Sequence, residues 1–223
     1  MTSIKINELR SSFVKEFSLI YQLCELILEK SQKPSLIHAT LQTLLRFLTW
    51  IPEAYIFQTK MIETLIGKFF PVELFQNSTL QCLSEISSLE SNPNNQQYFT
   101  KLFVLFMMQI EKIVPHTYGN FYLSFYTSLT LSIKDFSKNF NKSSSREQSF
   151  VNYFTIFLTT LFRNHLSNFE NDPQLYNYIN IAHLYLANIT KVPELEIFKI
   201  TLEYWKFLVR LFFLFENHFN HHL

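Results

Sequence analysis

The chain has 223 residues, enough for one sizeable domain or a short repeat array, and 48% are hydrophobic, enough to fill a continuous core. The 19 basic and 18 acidic residues leave a formal charge of +1, spread without a basic block or an acidic tail, which argues against direct nucleic-acid binding. Only 2 glycines are present, which argues against β-hairpins, dinucleotide-binding turns and phosphate-cradling loops, all of which use glycine at positive φ.

Apolar residues recur with the helical period almost throughout. A first helix is expected over about 12–30, with Phe13, Phe17, Ile20, Cys24 and Ile27 facing inward. Pro34 opens a second, where its missing N–H costs nothing; Ile37, Leu41, Leu44, Leu45 and Leu48 point inward and the helix ends before Pro52. A third, over about 53–70, uses Phe57, Met61, Leu65 and Phe69; a fourth, over about 73–89, uses Leu80, Leu83 and Ile86. Residues 91–95 read Ser-Asn-Pro-Asn-Asn and form a loop by composition. The fifth helix, about 96–114, presents Phe99, Leu102, Phe106, Ile110 and Ile113. Residues 115–146 are irregular or inserted: Pro115, Gly119 and the run 139–145 have loop character, and 122–136 fits a short helix. A clearer helix follows over about 147–168 with Phe150, Phe154, Phe157, Leu161 and His165 on one side. Asp172 and Pro173 give a cap followed by proline at the first helical position, opening a helix with Leu175, Ile179, Ala182, Leu186 and Ile189. Pro193 opens the last helix, in which Phe198, Leu202, Trp205, Val209 and Phe212 align.

The chain also repeats itself. Thr40-Leu41-Gln42 returns 39 residues later as Thr79-Leu80-Gln81, and a further 122 residues on, close to three more such periods, as Thr201-Leu202-Glu203. Helix pairs with a period of about 40–47 residues are the signature of HEAT and armadillo arrays. No hairpin of this kind buries its apolar face alone, so neighbours stack and share a core. The expected fold is therefore all-α, an α-solenoid of antiparallel helix hairpins, one HEAT-repeat segment over 1–223 with four to five repeats.

The chemistry-bearing residues offer little beyond packing. Cys24 and Cys82 lie in apolar helical faces and read as buried thiols, with neither a disulfide framework nor a zinc site. His218, His221 and His222 cluster in the tail with nothing to orient them as metal ligands, and His38, His165 and His183 read as partly buried imidazoles. No nucleophile elbow or ordered triad is present, and Asp172, Glu194 and Glu196 are explained by helix starts, so no enzyme, cofactor or metal is expected. Trp50 and Trp205 are expected to pack in the core, with a peptide anchor as the alternative; Met107 and Met108 fill the core or line a plastic peptide groove. The apolar runs are broken by Lys101, Lys206 and Arg210, short of a membrane span, and residues 1–10 carry no signal-peptide core, so a soluble intracellular chain is expected. Lys60, Glu63, Lys101 and Lys112 fall on polar helix faces that a HEAT array turns to its concave side, and they are the candidate partner-binding residues.

A resemblance runs through the same residues. Lys33-Pro34-Ser35-Leu36-Ile37-His38-Ala39-Thr40-Leu41, continuing through Leu44-Leu45-Arg46-Phe47-Leu48-Thr49-Trp50-Ile51-Pro52, resembles the chromosome-region-maintenance exportins, the exportin-1 family of the importin-β superfamily. Further blocks are Tyr55-Ile56-Phe57, Lys68-Phe69, residues 79–86, Met107-Met108-Gln109, Glu196-Ile197-Phe198-Lys199 and Leu202-Glu203-Tyr204-Trp205. The resemblance is specific over 31–89 and around Trp205, and loose over 115–146 and 166–190. It implies a ring of HEAT repeats that carries cargo with leucine-rich export signals out of the nucleus together with the GTPase Ran in its GTP state, shuttling between nucleus and cytoplasm. Each partner then raises the other's affinity, nucleoporins are further candidate partners, and hydrolysis belongs to Ran. Family members are several times longer; this chain resembles a middle portion of their N-terminal half. A generic HEAT scaffold without transport activity is the alternative reading. Either way, a cut solenoid exposes apolar hairpin faces, so the isolated chain is expected to associate.

Overall fold

The computed structural model describes residues 3–114 and 140–220, with side chains described over 16–114 and 140–213. All regular structure among them is helical, with no strand. The short helix expected at 122–136, Gly119, the inward position of Phe13 and the tail histidines lie outside the described residues or side chains. The chain divides into two compact units, Met1–Leu105 and Phe106–Leu223.

In the first unit, α1 (Ser3–Lys30) packs on α2 (Pro34–Phe47). After a turn come α3 (Glu53–Phe57), α4 (Met61–Thr64) and a π-helical turn (Leu65–Phe69), then α5 (Gln76–Ser87), which packs on α2, and the start of α6 (Gln96–Ile113). Proline opens α2 as its sequence predicts.

The repeat is visible in the bonding. Tyr21 Oη lies 2.8 Å from Thr59 Oγ1, 38 residues away; Gln42 donates to Ser78 Oγ at 3.1 Å, 36 away; Cys82 Sγ lies 3.6 Å from the Leu41 carbonyl, 41 away; and Asn95 Nδ2 donates to Glu53 at 3.2 Å, 42 away. Contacts at one repeat length are what stacked, equivalent helices produce, and they fit a HEAT-repeat segment.

The third expected helix, 53–70, is broken. Thr59 Oγ1 donates to the Tyr55 carbonyl at 2.7 Å and accepts from the Met61 amide at 3.2 Å, so one hydroxyl ends α3 and starts α4. The Phe70 amide then reaches the Leu65 carbonyl at 2.9 Å, which widens the last turn into π geometry. Trp50, expected to pack, sits in the turn after α2 with 64% of its surface exposed. The inward row of α1 is Tyr21, Cys24 and Leu28, with Phe17, Ile20 and Ile27 half-buried beside it, while Leu19, Leu23 and Leu26 form an exposed row.

In the second unit the rest of α6 meets α7 (Ser145–Phe169), where the Phe106 ring lies 4.3 Å from Phe157 and 5.9 Å from Phe154. Ser144 and Glu147 close a capping box at the start of α7, each side chain bonding the other's backbone amide. Asp172 Oδ1 accepts from the Gln174 amide at 2.9 Å and starts the 3-10 turn (Pro173–Leu175) that runs into α8 (Tyr176–Ile189). Last comes α9 (Leu195–Asn220), packed on α7 and α8.

Here the expected inward face needs correction. Ile197, Thr201 and Tyr204 are buried, whereas Phe198, Leu202, Val209 and Phe212 are exposed and Trp205 is half-buried. The helix carries two adjacent apolar rows, and periodicity alone does not choose between them. The row with Tyr204 goes inward because its hydroxyl meets His183 Nε2 at 2.7 Å, while Thr201 satisfies its own hydroxyl on the Phe198 carbonyl at 2.9 Å.

Candidate partner-binding surface

Among the four candidate contact residues, the structure brings three together in the first unit. Lys60 stands exposed just before α4. Glu63, on α4, forms an ion pair with Lys101 on α6. Partial burial works against the Glu63 carboxylate, but the Lys101 hydrogen bond, its own backbone amide and the charges of Lys101 and Lys60 outweigh it and hold its pKa below the usual value. Both partners keep substantial exposure, 37% for Glu63 and 55% for Lys101, so the pair adds little to folding and is open to a competing partner. Lys112 belongs to the second unit, is exposed, and donates at 3.5 Å to Gln109 Oε1 one turn earlier.

The local sequence did not point to what lies beside Lys60. Between α1 and the α4–π segment opens a cavity of about 170 Å³ lined by Tyr21, Cys24, Leu28, Leu44, Met61 and Leu65. Its α1 lip carries Glu25 and Glu29, and its opposite lip Lys60 and Lys68, all exposed. The Lys68 ammonium donates to the carbonyls of Leu28 and Glu29, so its charge is directed to the end of α1. Burial pushes the Tyr21 phenol up to about 12, against the lowering effect of the Thr59 hydrogen bond and with a further push from Glu25, and burial also raises the Cys24 thiol. Neither group ionises near neutral pH, and the walls are effectively neutral. The helical spacing of Tyr21, Cys24 and Leu28 was the available signal for one wall; the other is built by Met61, Thr64 and Leu65, which follow the break at Thr59.

The remaining polar candidates are structural. His183 Nδ1 donates to the Ile179 carbonyl at 2.9 Å, its ring stacks 4.9 Å from Phe162, and burial lowers its pKa, so it is neutral and Nε2 accepts from Tyr204. His165 is fully buried, and exposed His38 meets Ser78 Oγ at 3.3 Å. Trp205 Nε1 donates to Thr190 Oγ1 at 3.0 Å. Met107 is fully buried and Met108 is 49% exposed, so the two adjacent methionines divide between core and surface. Cys24 and Cys82 are free and buried. Among the described residues no cluster of three potential metal ligands occurs, and no helix is long and apolar enough to cross a membrane.

Comparison with known proteins gives a consistent answer over nearly the whole chain. The Exportin 1-like protein family matches residues 1–83, and the Chromosome region maintenance or exportin repeat matches 177–213. The chain is 42% identical over 209 residues to Exportin-1 of Schizosaccharomyces pombe, covering 94% of this chain and 18% of that protein. It is 41% identical over 219 residues to Exportin-1 of Dictyostelium discoideum, covering 93% and 19%, and 39% identical over 209 residues to Exportin-1 of Drosophila melanogaster, covering 94% and 18%. The chain thus spans less than a fifth of the length of these relatives. With family matches at both ends, about 40% identity along nearly the whole chain and contacts at one repeat length within the first unit, the chain is a segment related to the Exportin-1 family.

Proposed function

We propose that this chain is a wall segment of a nuclear export receptor, a non-catalytic helical surface that takes part in binding Ran in its GTP state and cargo with leucine-rich export signals. The observation that carries the reading is the 42% identity to an Exportin-1 sustained over 94% of the chain. Shuttling between nucleus and cytoplasm follows from the same reading, with nucleoporins as further partners. Within the segment, the exposed Lys60, the Glu63–Lys101 pair and Lys112 are the proposed contacts to Ran or to another part of the receptor. A receptor of this kind works by differential binding, so its contact residues must be accessible and exchangeable rather than locked in the core. Exposed ion pairs meet that requirement.

The test is capture of GTP-locked and GDP-locked Ran by the immobilised chain. Retention of the GTP-locked form in excess over the GDP-locked form is expected, and a charge-reversing Lys60→Glu, Lys101→Glu variant lowers it. Equal retention of the two nucleotide states would replace this reading with that of a HEAT-type interaction scaffold without transport activity.

A further inference from the structure

We propose that the cavity between α1 and the α4–π segment is an anchor pocket for one apolar side chain of a docked protein segment, with a basic neighbour facing Glu25 and Glu29 and an acidic neighbour facing Lys60. The inference rests on the reading of the chain as a partner-binding segment and names where, and with what chemistry, a partner is gripped.

The walls decide the class of occupant. Six of the lining residues, Tyr21, Cys24, Leu28, Leu44, Met61 and Leu65, present carbon, sulfur or aromatic surface. The Tyr21 and Thr59 hydroxyls face each other at 2.8 Å, and Lys68 is directed to backbone carbonyls. A charged group placed deep between these apolar walls would lose its water, at a cost of several kcal/mol, while its potential counter-charges, Glu25, Glu29, Lys60 and Lys68, stand exposed at the mouth. A compact apolar group loses nothing and fills otherwise poorly packed volume. A cavity of about 150 Å³ accommodates benzene, so about 170 Å³ suits a phenyl or isobutyl group.

The lips decide the source. A pocket for a free apolar metabolite needs no charged rim, whereas a protein interface combines an apolar anchor pocket with a polar, solvated border. Here carboxylates stand on one lip and Lys60 on the other, and Lys60 continues into the exposed Glu63–Lys101 pair. A segment crossing the mouth can therefore place one apolar residue inward and opposite charges on either side.

Methionine methyl groups provide a site-specific readout, because Met61 lines the pocket whereas Met107 and Met108 belong to the other unit. The full chain carrying [methyl-13C]methionine is titrated with toluene, with the peptide acetyl-Gly-Lys-Ser-Phe-Ser-Glu-Gly-amide, and with its counterpart bearing alanine for phenylalanine. Toluene and the phenylalanine peptide are expected to shift the Met61 methyl in a saturable way, and the alanine peptide to leave it in place. Lys60→Glu should weaken the peptide at least about threefold and leave toluene unaffected. An unmoved Met61 methyl with toluene would show a closed cavity and overturn the proposal. A toluene shift without a phenylalanine-specific peptide shift would overturn it too, by reducing the site to an internal void. Ran capture by the wild-type chain is read separately, so retained nucleotide discrimination with a silent Met61 would reject the pocket and leave the receptor reading standing.

Discussion

The Lys68 ammonium lies 2.6 Å from the Leu28 carbonyl oxygen and 3.0 Å from that of Glu29, so a side chain from the π-helical turn closes the last turn of a helix 40 residues earlier. The final carbonyls of a helix have no partners within it and carry the negative end of its dipole, which makes a lysine there both a donor and a favourable charge. The π turn carries Lys68 and places it where it reaches across. Lys68→Met keeps the side-chain length and removes both bonds. It is expected to lower unfolding free energy by about 1–2 kcal/mol in urea titrations. Lys68→Arg should recover part of the loss, and an unchanged midpoint in Lys68→Met would deny the cap any energetic role.

His183 predicts a pH dependence in the second unit. Burial lowers its pKa from the ordinary 6.5, so the folded chain resists a proton that the unfolded chain accepts. Below the ordinary value the unfolded state binds more protons than the native one, and stability falls as pH drops; above it the penalty vanishes. Glu170, whose pKa is raised by burial, acts in the opposite direction over the upper carboxylate range. Unfolding midpoints measured between about pH 7.5 and pH 5.5 should fall in the wild type and fall less in His183→Gln, whatever that variant's absolute stability. Parallel slopes for the two proteins would mean that His183 does not contribute.

Thr79 offers a gain rather than a loss. Its residue is fully buried in α5 and its hydroxyl oxygen has no hydrogen-bond partner, whereas the equally buried Thr155 donates to the Val151 carbonyl at 2.7 Å. An enclosed polar atom without a partner carries its full desolvation cost. Thr79→Val should therefore stabilise the chain by about 1 kcal/mol, while Thr155→Val should give less or nothing. Calorimetry of the two variants decides the point: equal effects would mean that the environment of Thr79 is polar in solution.

The all-α fold was legible in the sequence because scarce glycine, prolines at helix starts and helical periodicity all lead to it, and the 39-residue return of Thr-Leu-Gln supplied the stacking period. The Asp172 cap was equally readable, since its chemistry is local. What escaped depends on partners distant in sequence. Periodicity gave α9 two apolar rows and no reason to prefer the one whose tyrosine meets His183. The break at Thr59 follows from bonds to Tyr55, Met61 and Tyr21 that no pattern of hydrophobicity encodes. Met61, Thr64 and Leu65, just past that break, line the pocket together with residues of α1 and α2, so a sequence reading that saw one unbroken helix could place Lys60 but not the cavity beside it.

The repeated triplet also supplies the reason to expect self-association. Thr40, Thr79 and Thr201 are all buried, so the first residue of each triplet faces inward. The leucine that follows is fully buried in α2 and in α5, but Leu202 in α9 is 38% exposed. Leu41 is covered by the helix one repeat on, through the Cys82 contact, and no described helix does the same for Leu202. Phe198, Val209, Phe212 and Phe213 extend this open row along α9, with Lys199, Lys206 and Arg210 along one border in helical spacing. On α1, Leu19, Leu23 and Leu26 form a second open row, bordered by Glu25 and Glu29. Apolar rows of this size on a free chain seek cover, and a stacked repeat gives it. In sedimentation velocity at tens of micromolar the isolated chain should show concentration-dependent association, which Leu23→Glu combined with Leu202→Glu should abolish while helical circular dichroism is retained. Because both positions already face water, the double variant costs the fold little. A wild-type chain that sediments as a monomer over that range would show that these rows are tolerated as open surface, and would remove the equivalence of Leu202 with Leu41 as a guide to what the segment binds.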